Sequence, residues 1–345
     1  MMRKLWIKNT PEDRIAILQQ AERAHTGVTL FAVEKDWWVT ATLYALSRCA
    51  CAPYLSFKGG TSLSKGFGLI ERFSEDIDIA LQHSFFGIEP INRSQRDKLR
   101  KVSRAYIHKT LSGQLDDELR QIGVYGYRIE NVTQVSAKGG ATKPIDSDKD
   151  PTTILVYYES VIEEPISYIP QRVKVEISCM SMDEPVEIRS IRSMIADALP
   201  VEDESEVSFP TVLPTRTFLE KIFLLAEEFQ KDSPRHLRMS RHLYDIERLM
   251  DCAYGVEALS DRQLYDAIVE HRRLQYALRY VDYDLLSPSR ITIVPPQKVL
   301  HDWASDYRKM REHFIYGASL PFDQLLCRIE ELQSRIRDLG INRYL

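Results

Sequence analysis

The reading of this chain turns on Tyr54-Leu55-Ser56-Phe57-Lys58-Gly59-Gly60-Thr61-Ser62, followed after a short amphipathic segment by Phe73-Ser74-Glu75-Asp76-Ile77-Asp78-Ile79-Ala80-Leu81. An apolar approach runs into two glycines and two hydroxyl residues, the pattern of a strand giving way to a turn. Along the later stretch a pair of aspartates alternates with apolar residues. Side chains on a strand repeat every second residue, so Asp76 and Asp78 share one face while Ile77 and Ile79 turn into the core. Adjacent like charges are unfavourable unless something positive sits between them. A divalent cation such as Mg2+ answers that need, since hard cations take carboxylate oxygens together with substrate phosphates. Glycine amides, with no Cβ in the way, can approach a triphosphate, and a following helix offers its N-terminus to the anion. Strand, diglycine, helix and Asp-x-Asp in this order point to metal-dependent phosphoryl transfer. A Walker A loop is excluded, because Gly66 rather than Ser or Thr follows Lys65.

Outward from this stretch the elements are legible. Thr10-Pro11-Glu12-Asp13 is a helix start, with a capping hydroxyl, proline in the first turn and acids against the dipole. Ile15, Leu18 and Ala21, then Val33, Trp37, Ala41, Tyr44 and Ala45, repeat at helical spacing, so two helices precede the first strand. A basic amphipathic helix is predicted over Arg93 to Ile122. Val124 to Ile129, Ile154 to Tyr158 and Val173 to Ile177 have the β-branched and aromatic content of strands. Between the first two lies a polar loop, Asn131 to Pro151, long enough to suggest function or disorder. Beyond Leu199 to Ser205 strands fade and helical periodicity dominates. The expected organisation is an α/β unit over residues 1–205 and a mainly helical one over residues 206–345.

Composition sets outer bounds. The chain has 345 residues, 44% hydrophobic and 28% charged, with a net charge of −4. These are ordinary values for a globular protein, and the charge argues against wholesale coating of nucleic acid while leaving room for a local basic groove. No apolar run approaches the roughly 20 residues of a membrane span or the shorter core of a secretory signal. The five cysteines are scattered and complete no zinc pattern. A reducing cytoplasm is the expected location.

Other residues carry sharper and plainer readings side by side. Glu176, in the alternating Arg172-Val173-Lys174-Val175-Glu176-Ile177-Ser178, could supply a third carboxylate beside Asp76 and Asp78, as metal ligand or as base for the attacking hydroxyl. The plainer reading is a salt bridge with Lys174 on a wet face. Lys221, beside the apolar stripe of Phe218, Ile222 and Leu225, could send its ammonium into a cleft or snorkel to solvent. In the basic run Arg235 to Asp245, read as helical, Arg238, Arg241 and Asp245 share a face that suits phosphate oxygens or an internal ion pair. His242 could act as a base, although a lone helical histidine is more often structural.

Taken together, Lys58-Gly59-Gly60-Thr61, Arg72-Phe73-Ser74-Glu75-Asp76-Ile77-Asp78, Arg216-Thr217-Phe218-Leu219-Glu220-Lys221 and Arg241-His242-Leu243-Tyr244-Asp245 resemble the AbiEii-type (MenT-like) nucleotidyltransferases, toxins of bacterial abortive-infection and toxin–antitoxin pairs within the polymerase-β-like superfamily. The resemblance spans about Phe31 to Leu249. It implies a polymerase-β-like nucleotidyltransferase core, a mixed sheet flanked by helices, with a mostly helical C-terminal domain. It further implies that Gly59, Gly60 and Thr61 hold the triphosphate with Ser74 close by, that Asp76 and Asp78 bind magnesium, and that Lys221 and Asp245 are the catalytic lysine and aspartate of the family's later motifs; Lys58 and Arg241, inside the matching motifs, are expected at the nucleotide, while Glu176 is expected as a further metal ligand and catalytic carboxylate from its own strand pattern. Many relatives carry Lys-Asp where this chain has Arg241-His242. The implied activity moves an NMP from an NTP onto RNA, the acceptor being the tRNA 3′ end, and halts translation; a cognate antitoxin encoded nearby is the implied partner. Two other readings stand beside it: nucleotidyl transfer to a small molecule, and a catalytically silent module that binds RNA or protein.

Overall fold

Two capped helices open the chain. The Thr10 side chain accepts from the Asp13 amide at the start of α1 (Pro11–Ala24), and Thr29 accepts from the Ala32 amide at the start of α2 (Leu30–Leu46). Each satisfies an amide that has no partner inside its helix. α2 is buried along nearly its whole length. Its Trp37 packs edge-on against both Trp38 and Trp6, with ring centres 5.2 Å apart in each pair. The polar edge of this cluster is organised by buried Asp203. It accepts from the Trp6 amide (2.9 Å), Trp37 Nε1 (3.0 Å), and the hydroxyls of Ser193 (2.7 Å) and Ser205 (2.9 Å). A carboxylate removed from water needs such a donor set.

The computed structural model describes residues 4–136, 142–162, 170–182 and 185–339. The chain divides into a first unit, Met1–Gly66 with Phe73–Thr211, and a second, Phe67–Arg72 with Val212–Leu345. After α2 the first unit contains β1 (Leu55–Lys58), a short turn of helix α3 (Gly59–Thr61), β2 (Asp76–Leu81), α4 (Arg93–Tyr106), α5 (Ser112–Gln121), β3 (Tyr127–Asn131), β4 (Gln134–Ser136), β5 (Thr142–Pro144), β6 (Thr152–Tyr158), β7 (Arg172–Ser178), β8 (Val186–Arg192), α6 (Met194–Ala198) and β9 (Glu206–Val212). Seven strands form one mixed sheet in the order β3-β6-β7-β2-β1-β9-β8. At its centre β2 runs antiparallel to β1 and parallel to β7. Ile77, Ile79, Val173, Val175 and Ile177 are fully buried on one face, and this alternation fixes the register.

Three features depart from the expectation from sequence. The first is the presence of β8 and β9. β9 carries Pro210 inside it, which argues locally against a strand, and an acidic lead-in, Glu202 to Glu204, disguises its start. Pairing with β1 (Phe57 opposite Thr211) overrides both. The polar loop Asn131 to Pro151 contains the hairpin β4–β5; its residues 137–141 lie outside the described residues. The predicted helix Arg93 to Ile122 forms as α4 and α5 joined by a π-helical segment, Ile107–Leu111.

The second unit is helical, with α7 (Pro214–Glu228), α8 (Ser240–Leu249), α9 (Ala253–Ser260), α10 (Arg262–His271), α11 (Leu300–His313) and α12 (Phe322–Asp338). Phe223 meets Tyr265 with ring centres 4.8 Å apart, and Phe229 meets Trp303 at 5.0 Å. The basic run from Arg235 is only half helical, because α8 begins at Ser240 and Arg238 has φ +58°. Arg238 therefore does not extend the face of Arg241 and Asp245. Asp306 sets this start by accepting from the amides of Arg238 (2.7 Å) and Ser240 (3.0 Å), a long-range cap invisible to local pattern. Among the described residues no helix is long and apolar enough to cross a membrane.

Replacing Asp203 with alanine leaves three buried N–H donors, of Trp6, Trp37 and Ser205, and two hydroxyls without their acceptor. A loss of about 3 kcal/mol is expected, read as a lower denaturation midpoint; an unchanged midpoint would show that the cluster does not depend on this carboxylate.

Candidate active site

The end of β1 and the start of β2 are built against each other. Lys58 pairs across the ladder with Asp78, and the next residue, Gly59, turns with φ +84°. A Cβ on Gly59 would lie 2.9 Å from Asp78 Cγ and closer still to its Oδ2. Only glycine fits, for both conformation and space. The diglycine turn and the second aspartate therefore occupy one spot. Thr61 fastens the turn further, its hydroxyl donating to the Asp76 carbonyl (2.5 Å) and lying 2.8 Å from Ser74 Oγ. Ser62 Oγ donates to the Gly59 carbonyl at 3.0 Å.

Asp76 and Asp78 lie half-buried on the face opposite Ile77 and Ile79. In the parallel ladder with β7, Asp76 stands opposite Lys174 and Asp78 opposite Glu176. Parallel partners project to the same side, so three carboxylates and Lys174 share this face. Glu176 Oε2 lies 2.7 Å from Lys174 Nζ. Lys58 Nζ donates to Ser181 Oγ at 2.7 Å, just beyond β7.

The donors are hard oxygens, which fit Mg2+ rather than a soft transition metal. Among the described residues no three His, Cys, Asp or Glu side chains converge as they stand, and Glu176 is drawn to Lys174. Asp76 and Asp78 share their strand face with Glu176, whose Oε2 is taken by Lys174.

Two buried ion pairs that sequence reasoning missed brace this assembly from α2. Lys35 Nζ reaches Glu75 at 2.6 Å, beside Asp76 in the chain. Asp36 takes Lys65, just past the diglycine, and accepts from the Met194 amide at 2.7 Å. Consecutive residues of one helix thus hold both halves of the motif. The only signal in sequence was a Glu34-Lys35-Asp36 run inside an otherwise apolar helix.

Lys221, Arg241 and Asp245 belong to the second unit. α8 places Asp245 where it accepts from Arg72 through Nε (2.6 Å) and Nη2 (2.7 Å), while Lys221 Nζ from α7 lies 2.8 Å away. Arg72, Lys221 and Asp245 are all buried. Lys221 is thus neither a snorkelling surface lysine nor an exposed one. Burial alone would raise the Asp245 carboxyl, yet Arg72 and then Lys221 outweigh it and hold the group well below the usual carboxylate range. Burial pulls the Lys221 ammonium downward against the attraction of Asp245. His242 is lowered far below its ordinary value by burial and by the Lys221 and Arg241 charges, so it is neutral. Arg72 is the member sequence reasoning assigned no role, since nothing local announces an arginine whose partner lies so far along the chain.

A family model described as "Nucleotidyl transferase AbiEii toxin, Type IV TA system" matches residues 41–328. The chain belongs to this family. It is therefore a nucleotidyltransferase, a toxin of the type IV toxin–antitoxin class. Among solved structures it is similar to MenT4, a nucleotidyltransferase toxin from Mycobacterium tuberculosis H37Rv, at 17% identity and a TM-score of 0.48 over 96% of this chain and 90% of that one. No curated protein sequence matches it.

Two outcomes follow from the AbiEii geometry. Gly59→Ala should cost about 1–3 kcal/mol through strain at a positive φ and, by displacing Asp78, cut NTP turnover by at least about a hundredfold; denaturation and turnover measured on one preparation test both, and full turnover would uncouple the turn from the aspartate. Asp245→Asn strands buried Lys221 and Arg72 and should lower stability at pH 7 by about 3 kcal/mol. Because the folded carboxyl is depressed, its stabilisation is complete above the ordinary carboxylate range, near pH 4, and is lost as pH falls below it. The gap between wild type and variant should accordingly narrow from pH 5 towards pH 3 in thermal melts.

Proposed function

We propose that this nucleotidyltransferase moves a nucleoside monophosphate from an NTP onto RNA, with the 3′ end of a tRNA as acceptor. It acts in the cytoplasm as the toxin of a pair with a nearby-encoded antitoxin, blocking translation during abortive infection. One observation carries the reaction type: Gly59 lies so close to Asp78 that amides suited to phosphate and carboxylates suited to a cation share one spot. Membership of the AbiEii family supports the toxin role.

The chain's own residues divide the work. Gly59 and Gly60 offer amides to the triphosphate, and the Lys58 ammonium at the end of β1 adds positive charge. Thr61 and Ser74 hold the turn against β2. Asp76 and Asp78 would hold Mg2+, with Glu176 as third ligand or as acceptor of the attacking hydroxyl's proton once it releases Lys174. Bound there, the cation neutralises charge on the transferring phosphoryl group. What remains for the protein is positioning, because phosphoryl transfer asks little covalent chemistry of it. Lys221, Arg241 and Asp245 are assigned to the same activity by the resemblance of their motifs, Asp245 acting by keeping Lys221 charged and fixed.

Incubation with each α-labelled NTP, Mg2+ and total tRNA tests the reading. Label should enter RNA and be released by treatment that removes 3′-terminal nucleotides. Asp76→Asn and Asp78→Asn should each lower incorporation by at least about a hundredfold without changing the denaturation midpoint much. Label on a small acceptor and none on RNA would replace the RNA assignment; full activity in Asp76→Asn would remove the carboxylate pair from it.

A further inference from the structure

α4 carries an uneven charge. In its sequence Arg93-Ser94-Gln95-Arg96-Asp97-Lys98-Leu99-Arg100-Lys101-Val102-Ser103-Arg104-Ala105-Tyr106 a single acid, Asp97, stands among six basic residues, in a chain whose net charge is −4. Leu99, Ile107, Leu111, Leu115 and Leu119 are fully buried and lock the inner side of the continuous α4–π–α5 rod. The outer side is left with Arg93, Lys98, Lys101 and Lys109 exposed. Asp97 is shared between Arg93 and Arg100. Among the described residues, Lys98, Lys101 and Lys109 are in no ion pair. On α12 of the second unit, by contrast, Arg328 and Arg335 both engage Asp251 and Glu331. An open cleft of about 660 Å3 runs along α4, lined by Arg93, Ser94, Asp97, Lys98, Lys101 and Val102.

A second feature flanks this face. Tyr106, the last residue of α4, packs on Phe85 (4.9 Å between ring centres) and Phe86 (5.8 Å), and Phe85 packs on Tyr54 at 5.3 Å. All four rings remain partly exposed. A stripe of unpaired cations near partly exposed rings suits a polynucleotide, whose phosphates take the cations and whose unpaired bases stack on rings. An acidic polypeptide would use the cations alone.

We propose that the outer face of α4, centred on Lys98 and Lys101 and flanked by the Phe85–Phe86–Tyr106 rings, is a docking surface for the phosphate backbone of RNA. The proposal rests on the RNA-acceptor reading for its partner, but it concerns where the RNA is held rather than what is done to it. Cations separated along the rod by about 5–12 Å, from the helical rise per residue, give repeated contacts without reading base sequence. The rigid inner side means little ordering is needed on binding.

The test compares full-length wild type with Lys98→Glu/Lys101→Glu and with the charge-keeping Lys98→Arg/Lys101→Arg. None of these positions belongs to the nucleotide site, so pyrophosphate release at saturating RNA should stay close to wild type. Dissociation constants for a fluorescent tRNA-like hairpin with a single-stranded 3′ end are measured across a salt series. The charge reversal should weaken binding at least about tenfold and lower the slope of log affinity against log salt by roughly one to two, while the arginine pair restores both. Phe86→Ala should weaken binding of the single-stranded end more than of a blunt duplex. Unchanged affinity and slope in the reversal variant overturn the docking surface, even where wild type labels RNA. A loss of polyglutamate binding with none of RNA binding overturns the RNA assignment. Salt-dependent RNA binding through α4 in a protein that labels no RNA supports the surface and removes the acceptor reading instead.

Discussion

The candidate site of the first unit is shaped by one close approach, the Gly59 backbone against the Asp78 carboxylate. Every neighbouring feature serves that contact. The β1–β2 ladder places Lys58 opposite Asp78, Thr61 ties the turn to β2, and the parallel partner β7 lays Lys174 and Glu176 alongside the aspartates. Of the carboxylates so gathered, Glu176 is paired with the Lys174 ammonium of the same sheet face.

Both units also bury full charges in pairs. In the first, Lys35 and Asp36 of α2 grip Glu75 and Lys65, which lie between the diglycine turn and the Asp-x-Asp strand. In the second, Arg72 and Lys221 converge on Asp245, and Arg272 takes both Glu220 and Glu227. Desolvation makes such pairs poor sources of net stability, yet losing one partner is costly because the other stays buried and uncompensated. They therefore specify one arrangement more strongly than they stabilise it. In α2, Lys35 and Asp36 add specific partners to an otherwise mostly apolar packing face.

The local geometry was legible where the backbone itself carries the signal: Gly59 and Gly60 form a turn at the end of β1, and Asp76 and Asp78 share one face of β2, as the glycine pair and the strand period imply. Glu176 was legible only as a choice between ligand and salt bridge, and its bond to Lys174 explains why: the two lie two residues apart on one strand face, where either role has the same pattern. Arg72, Lys35 and Asp36 were not legible as participants, because each is paired with a residue 29 or more positions away. The helix expected over Arg235–Met239 does not form for a related reason, the start of α8 being set by Asp306 from another helix.

Sequence alone determined the succession of strand, diglycine, helix and paired aspartates, and the class of chemistry these imply. Local periodicity and residue type suffice for such features, since the forces involved act between neighbours in the chain. Tertiary structure decided which charges are compensated: Glu176 by Lys174 on one strand, Asp245 by Arg72 and Lys221, and the α4 lysines by none among the described residues. It also placed β9, whose proline and acids speak against a strand, at the side of β1. Those outcomes depend on burial and on partners distant in the chain, which no local pattern encodes.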